Sequence, residues 1–178
     1  MHPFTAFAED PEFLDSVRRE TAALKTLVAS ELKRRFGVFS KLERRREEVL
    51  GKNEDRRLAG NPEEEEEEED PEGRDWSQDV IAGVHAGPSM NHLHIHVLSR
   101  DFVSERMRHR KHYNSFHTPF FVDLEDLPLS KDDPRRHPGR EGYLAQELRC
   151  WRCGKGFGNR FQQLKAHLEE EFEQWKRI

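Results

Sequence analysis

Two groups of residues in this chain have the types and spacing of working chemistry. The first is Ser89-Met90-Asn91-His92-Leu93-His94-Ile95-His96-Val97-Leu98, where three histidines alternate with Leu93, Ile95 and Val97. In an extended strand successive side chains point to opposite faces, so the imidazoles share one face and the aliphatics the other. Such a face could hold a metal, although zinc would need a further ligand and outer partners to complete its site. It could instead handle phosphate, one neutral imidazole attacking phosphorus while its neighbours hold the phosphate oxygens. A merely polar, exposed strand face is the third reading.

The second group is Cys150-Trp151-Arg152-Cys153-Gly154, and thirteen residues separate Cys153 from His167. His167 lies within a helical pattern of Phe161, Leu164, Leu168, Phe172 and Trp175, and Glu171 falls on its face one turn later. Glu170 is the neighbouring alternative. A carboxylate oxygen is an acceptable zinc ligand, so Cys150, Cys153, His167 and Glu171 form a four-ligand set. With every position filled by protein, the Zn2+ is expected to be structural, and a finger this small would depend on it to fold. A redox Cys-x-x-Cys would open a helix between strands, a context absent here.

The elements that must position these groups can be read from periodicity. Asp10-Pro11 reads as a helix N-cap and first turn. Phe13, Leu14, Val17, Leu24, Leu27, Val28 and Leu32 then recur at helical spacing to about Phe36, as a core-facing stripe. Residues 40–50 are expected to form a second, charged helix. The stretch 51–75 contains the acidic run Glu63 to Asp70 and is expected to be a disordered insertion. Residues 80–85 read as a strand, broken by Gly87-Pro88 before the histidine strand. Phe120-Phe121-Val122 is a candidate edge strand, and the Pro- and Gly-bearing stretch 128–142 reads as a linker. These elements point to an α+β fold: a small sheet with a packed helix, followed by a finger.

Composition limits the partners. Only 34% of residues are hydrophobic and 37% are charged. No run of about 18 apolar residues offers a membrane span, and the first residues lack the pattern of a secretion signal. Two cysteines cannot build a disulfide framework, which favours a reducing compartment. The net charge of −5 hides an asymmetry: residues 100–165 carry fourteen Lys/Arg against nine Asp/Glu, or +5, and the remainder carries −10. The part holding the chemistry is basic and suits a polyanion.

The motif His-x-His-x-His followed by apolar residues resembles the histidine-triad (HIT) family of nucleotide hydrolases and transferases. A fuller set of residues resembles the aprataxin branch of that family in its fungal form: Val84-His85-Ala86, Pro88-Ser89-Met90, the three histidines, Ser99-x-Asp101-Phe102, Lys111-His112-Tyr113-Asn114-Ser115-Phe116, and the finger with its carboxylate. The resemblance covers about residues 77–178, favours phosphate over metal for the histidines, and favours Glu171 over Glu170 for the finger. It implies a DNA-repair deadenylase that removes AMP from adenylated 5′ DNA ends through a covalent adenylyl-histidine. By it, His94 attacks phosphorus, His85 protonates the leaving phosphate, and His92, His96 and Ser89 bind phosphate. Lys111 and Ser104 would hold the DNA backbone, joined by Arg149, Arg152, Lys155 and Arg160 from the finger.

The same resemblance implies a HIT-like unit over residues 1–140 that lacks its early strands, because the chain starts near what looks like a strand-to-helix crossover at His2-Pro3-Phe4. The finger would occupy 141–178. A monomer acting in the nucleus, with damaged or adenylated DNA as partner and no membrane, is the corresponding expectation. Two alternatives stand beside it: a zinc-dependent DNA-end binder with an incomplete pocket and no activity, and a general HIT hydrolase of small nucleotides.

Overall fold

The computed structural model describes residues 2–59, 68–90 and 92–178. Asn91 and the first five residues of the acidic run, Glu63 to Glu67, lie outside that set. The N-terminal helices are α1 (Pro3–Glu9), α2 (Pro11–Phe36) and α3 (Lys41–Ala59). Asp10 caps α2 as its position before Pro11 predicts, its Oδ1 accepting from the Phe13 amide at 2.9 Å. Helix α1 was not evident from periodicity. It is capped by His2, whose Nδ1 accepts from the Phe4 amide, and it drives Phe4 and Phe7 into the core.

Three strands follow: β1 (Val80–His85), β2 (His96–Ser99) and β3 (Phe121–Asp123), with helix α4 (Arg110–His117) between the last two. They form an antiparallel sheet in the order β2-β1-β3, so the expected edge strand at residues 120–122 is present, displaced by one residue. Gly83 occupies the point of closest approach, pairing with both His96 and Asp123; a Cβ there would lie 2.1 Å from the Val122 carbonyl oxygen. No side chain fits between those backbones. The histidine strand is shorter than expected: only His96 of the three lies in β2, because β1 beyond Gly83 pairs solely with β3. Residues 92–95 run on outside the ladder. Their alternation persists all the same, with Leu93 and Ile95 packed against the core formed by Phe7, Leu14, Val84 and Val122.

Two further expectations are corrected. The supposed insertion is helical as far as Ala59, Asn53 of that helix donates to the Glu68 carbonyl at 2.8 Å, and at the far end Arg74 is buried. The described flanks of the acidic run have partners to bury against. The stretch 128–142 is an ordered strap containing α5 (Pro138–Glu141): Leu129 is buried, Arg136 bonds the Leu129 and Ser130 carbonyls, and Arg135 is paired with Asp133 and Asp126. The apolar stripe of α2 is only half covered. Leu14 and Leu32 are buried, but Phe13, Leu24 and Leu27 are exposed because the small sheet reaches only one side of the helix.

The finger comprises β4 (Leu148–Arg149), β5 (Gly156–Gly158) and α6 (Phe161–Trp175). Its interior is continuous with that of the sheet: Leu148, Cys150, Phe157, Leu164 and Leu168 share one cluster with Ile81, Phe102, Met107 and Tyr113. A second junction lies at the end of α6. The Arg74 guanidinium sits between the rings of Trp76 and Trp175, 4.0 and 4.6 Å from their centroids. Arg74 also pairs with Asp79 at 2.8 Å and donates to the Trp175 carbonyl at 2.7 Å, while the Trp175 indole donates to Asp79. Arg74 is 6% exposed, yet every charge in the cage has a partner.

Candidate active site and metal centre

His85 ends β1 and His96 begins β2 on the neighbouring strand, placing their rings 4.3 Å apart. The His94 ring lies 4.9 Å from that of His96. Phe116 of α4 packs against both His85 and His96, at 4.8 and 5.1 Å. No spacing rule marks Phe116 in the sequence; its ring walls the imidazoles from behind. Nε2 of His85 and Nε2 of His96 are buried without a hydrogen-bond partner, so two polar atoms face inward with unused capacity.

His94 is held differently. Its Nδ1 lies 2.9 Å from the His92 carbonyl oxygen, and a carbonyl can only accept. Nδ1 therefore carries the proton and the lone pair resides on Nε2, as required of a nucleophile or ligand. His92 is exposed, and it supplies its backbone rather than its ring to this arrangement. Ser89 is also exposed, on the turn between the two strands.

Burial is the main reason that the His85 pKa falls, to about 4, with repulsion from His96 and then His94 adding to it. His96 moves the same way for the same reasons, burial first. Both rings are thus neutral at physiological pH. For stability, the unfolded chain takes up protons first as pH falls below about 6.5, so this contribution is intact above that value and is lost down to about pH 4. The melting midpoint is expected to drop across this window, and His85→Gln should reduce the drop. An unchanged pH profile in that variant would remove His85 as the cause.

Beyond β2, Ser-x-Asp-Phe forms a tight bend. Asp101 accepts from the Ser99 hydroxyl and from the Val103 amide, the latter at 2.8 Å, and Phe102 takes a left-handed φ of 54° that drops its ring into the core. The bend and α4 enclose a cleft of about 420 Å³ lined by Asp101, Ser104, Arg106, His112 and Phe116. Phe116 is thus common to the cleft and the histidine cluster. Ser104 and Lys111 are exposed at this surface. On the finger, Lys155 is exposed, Arg149 is paired with Glu147 at 2.7 Å, and Arg160 donates to the Phe157 carbonyl. Arg152 turns to Glu171 instead, at 2.6 Å, so it does not stand as an open phosphate contact.

The finger residues converge as expected. The ligand atoms of Cys150, Cys153, His167 and Glu171 all lie within 4.8 Å of one another. Cys153 Sγ is 3.2 Å and Glu171 Oε1 3.3 Å from His167 Nε2, whereas Glu170 is 81% exposed and only approaches Nδ1, at 3.9 Å. Zinc bonded at about 2.0–2.3 Å fits such spacings and this donor set. The knuckle is shaped by the Gly154 amide, which bonds the Cys150 carbonyl with Gly154 at φ 74°.

Comparison with known proteins agrees with this geometry. Residues 117–174 match the C2HE / C2H2 / C2HC zinc-binding finger family, and residues 61–112 match the family described as scavenger mRNA decapping enzyme C-term binding. The aprataxin-like protein of Schizosaccharomyces pombe is 50% identical over 97 residues, covering 54% of this chain and 40% of that protein. The aprataxin-like protein of Saccharomyces cerevisiae is 47% identical over 95 residues, covering 52% and 44%. The matched stretches thus amount to less than half of each relative. Among solved structures, the aprataxin ortholog Hnt3 in complex with DNA superposes with a TM-score of 0.67 at 28% identity, covering 98% of this chain and 71% of that one. Hnt3 from Schizosaccharomyces pombe gives a TM-score of 0.64 at 27% identity, covering 98% and 70%. Over these stretches the chain is similar to aprataxin-like proteins, and its α+β fold is similar to that of the aprataxin ortholog Hnt3.

Proposed function

We propose that the chain hydrolyses AMP from adenylated 5′ DNA ends. The observation that carries this reading is His94: Nδ1 is committed to the His92 carbonyl, leaving the Nε2 lone pair free for attack beside the ring of His96. Nε2 attacks the adenylate phosphorus, the bond from that phosphorus to the bridging oxygen of the pyrophosphate breaks, and the 5′-phosphorylated DNA leaves. Water then attacks the P–N bond and releases AMP, which returns His94. His96 and His92, with Ser89, hold the phosphate oxygens. His85 is neutral in the free protein, so its role as proton donor depends on the arriving phosphate dianion raising its affinity for a proton.

DNA enters the reading through the relative solved with DNA and through the basic surface beside the cleft. Ser104 lines the cleft and Lys111 is exposed on α4, while on the finger Lys155 is exposed and Arg149 is paired with Glu147. Such contacts position the backbone without reading sequence, and their affinity falls with salt. A chain with this substrate works as a monomer in the nucleus. The test is incubation with 5′-adenylated nicked DNA and, separately, with a dinucleoside polyphosphate. AMP release from the nick is expected to be much the faster. Activity confined to the dinucleotide would replace the substrate assignment with that of a general HIT hydrolase, and DNA binding without AMP release would leave a DNA-end binder.

A further inference from the structure

We propose that Arg152 is the counter-charge of the metal centre, the residue that lets a carboxylate serve as the fourth ligand. Two thiolates and one carboxylate bring three negative charges to a divalent ion, and the histidine ligand is neutral. The C2HE set therefore carries a surplus of one negative charge, where two cysteines and two histidines would leave none. Cys153 is open to solvent, but the carboxylate that brings the surplus is largely covered, with Glu171 15% and the adjoining His167 14% exposed. Desolvated charge needs a partner.

Arg152 supplies it at 2.6 Å, from Nη1 to Glu171 Oε2. The two carboxylate oxygens thus have separate duties: Oε1 faces His167 and the ligand cluster, and Oε2 is taken by the guanidinium. This division holds the carboxylate in one orientation and reserves a single oxygen for the ion, which keeps the set at four ligands. Neighbouring cations are engaged elsewhere: Arg149 with Glu147, Arg160 with the Phe157 carbonyl, and Lys155 over the Phe157 ring at 5.5 Å. The counter-ion is carried between the two cysteines, on the knuckle itself. This inference rests on the metal centre alone and is independent of the substrate that the histidines process.

The test measures equilibrium zinc transfer from the zinc-loaded full chain to a chromophoric chelator. Arg152→Gln is expected to weaken zinc binding by at least about tenfold, the scale of lost outer-shell partners, and Arg152→Lys to lose less. In a Glu171→His background the fourth ligand is neutral, so adding Arg152→Gln should leave affinity unchanged or raise it. Unaltered affinity in Arg152→Gln would overturn the proposal, as would an equal loss in both backgrounds, which would mark Arg152 as packing only. If Arg152→Gln does not fold, recovery of folding and zinc binding in the double variant supports the proposal, and failure there too refutes it.

Discussion

Replacing His94 by alanine is expected to lower AMP release from adenylated DNA by at least about 10⁴-fold, equivalent to about 5.5 kcal/mol of transition-state stabilisation. Removing the nucleophile of a covalent mechanism can cost on the order of 10⁶ in rate, so this figure allows for residual hydrolysis by water in the phosphate-binding pocket. In the free protein Nε2 of His96 and of His85 is buried, whereas the His94 Nε2 lone pair is left free by the contact of Nδ1 with the His92 carbonyl. Acid-quenched reactions with label in the adenylate should leave label on the parent protein and none on His94→Ala. Label that persists in the variant would transfer the nucleophile's role to another residue. Because the His94 ring is not part of the hydrophobic clusters, the variant should keep its melting midpoint, which separates lost chemistry from lost fold.

Zinc removal is expected to have the second largest effect, and to be felt far from the metal. Structural zinc contributes about 10–16 kcal/mol in finger peptides, as much as or more than the entire 5–15 kcal/mol stability of an ordinary domain. Cys150 is itself a member of the cluster containing Ile81, Phe102 and Tyr113, and the Tyr113 hydroxyl bridges the Arg149 carbonyl and the Trp151 amide at 2.8 and 3.0 Å. Loosening the knuckle therefore withdraws support from α4, and with it from Phe116 behind the histidines. Losing even 5 kcal/mol of this contribution should lower the melting midpoint by about 10–20 °C for a chain of this size. Calorimetry with and without chelator, read together with the fluorescence of Trp76, Trp151 and Trp175, checks this. A finger that melts alone, leaving the sheet's transition in place, would show that the two units are energetically separate.

The chemistry was more legible in the sequence than the scaffold. His85, His94 and His96 do converge, and the four finger ligands meet, because alternation and helical spacing are local rules that survive tertiary folding. Strand length is not local. How far the histidine segment pairs depends on which edge of β1 is occupied, and β1 ends its pairing with β2 at Gly83. Helix α1 escaped notice because seven residues give periodicity too few turns to register. The ends of the acidic stretch were hidden by composition, since a run of glutamates outweighs Asn53 and Arg74 in any average although both have specific partners. Arg152 shows the limit in another way: the resemblance implied a DNA contact, whereas its position pairs it with Glu171.

The cage around Arg74 has a consequence for how such chains can diverge. Arg74, Asp79 and Trp175 bond one another, and Trp76 covers the guanidinium while its own indole donates to Glu43, so changing Arg74, Asp79 or Trp175 leaves a buried charge or indole short of a partner. A lineage cannot drift through the single-substitution intermediates at low cost, and the four residues should be inherited as a block. Three of them lie just before β1 and the fourth at the end of the finger helix, so recombination that exchanges one half of the chain for another lineage's is viable only when both parents carry the same quartet.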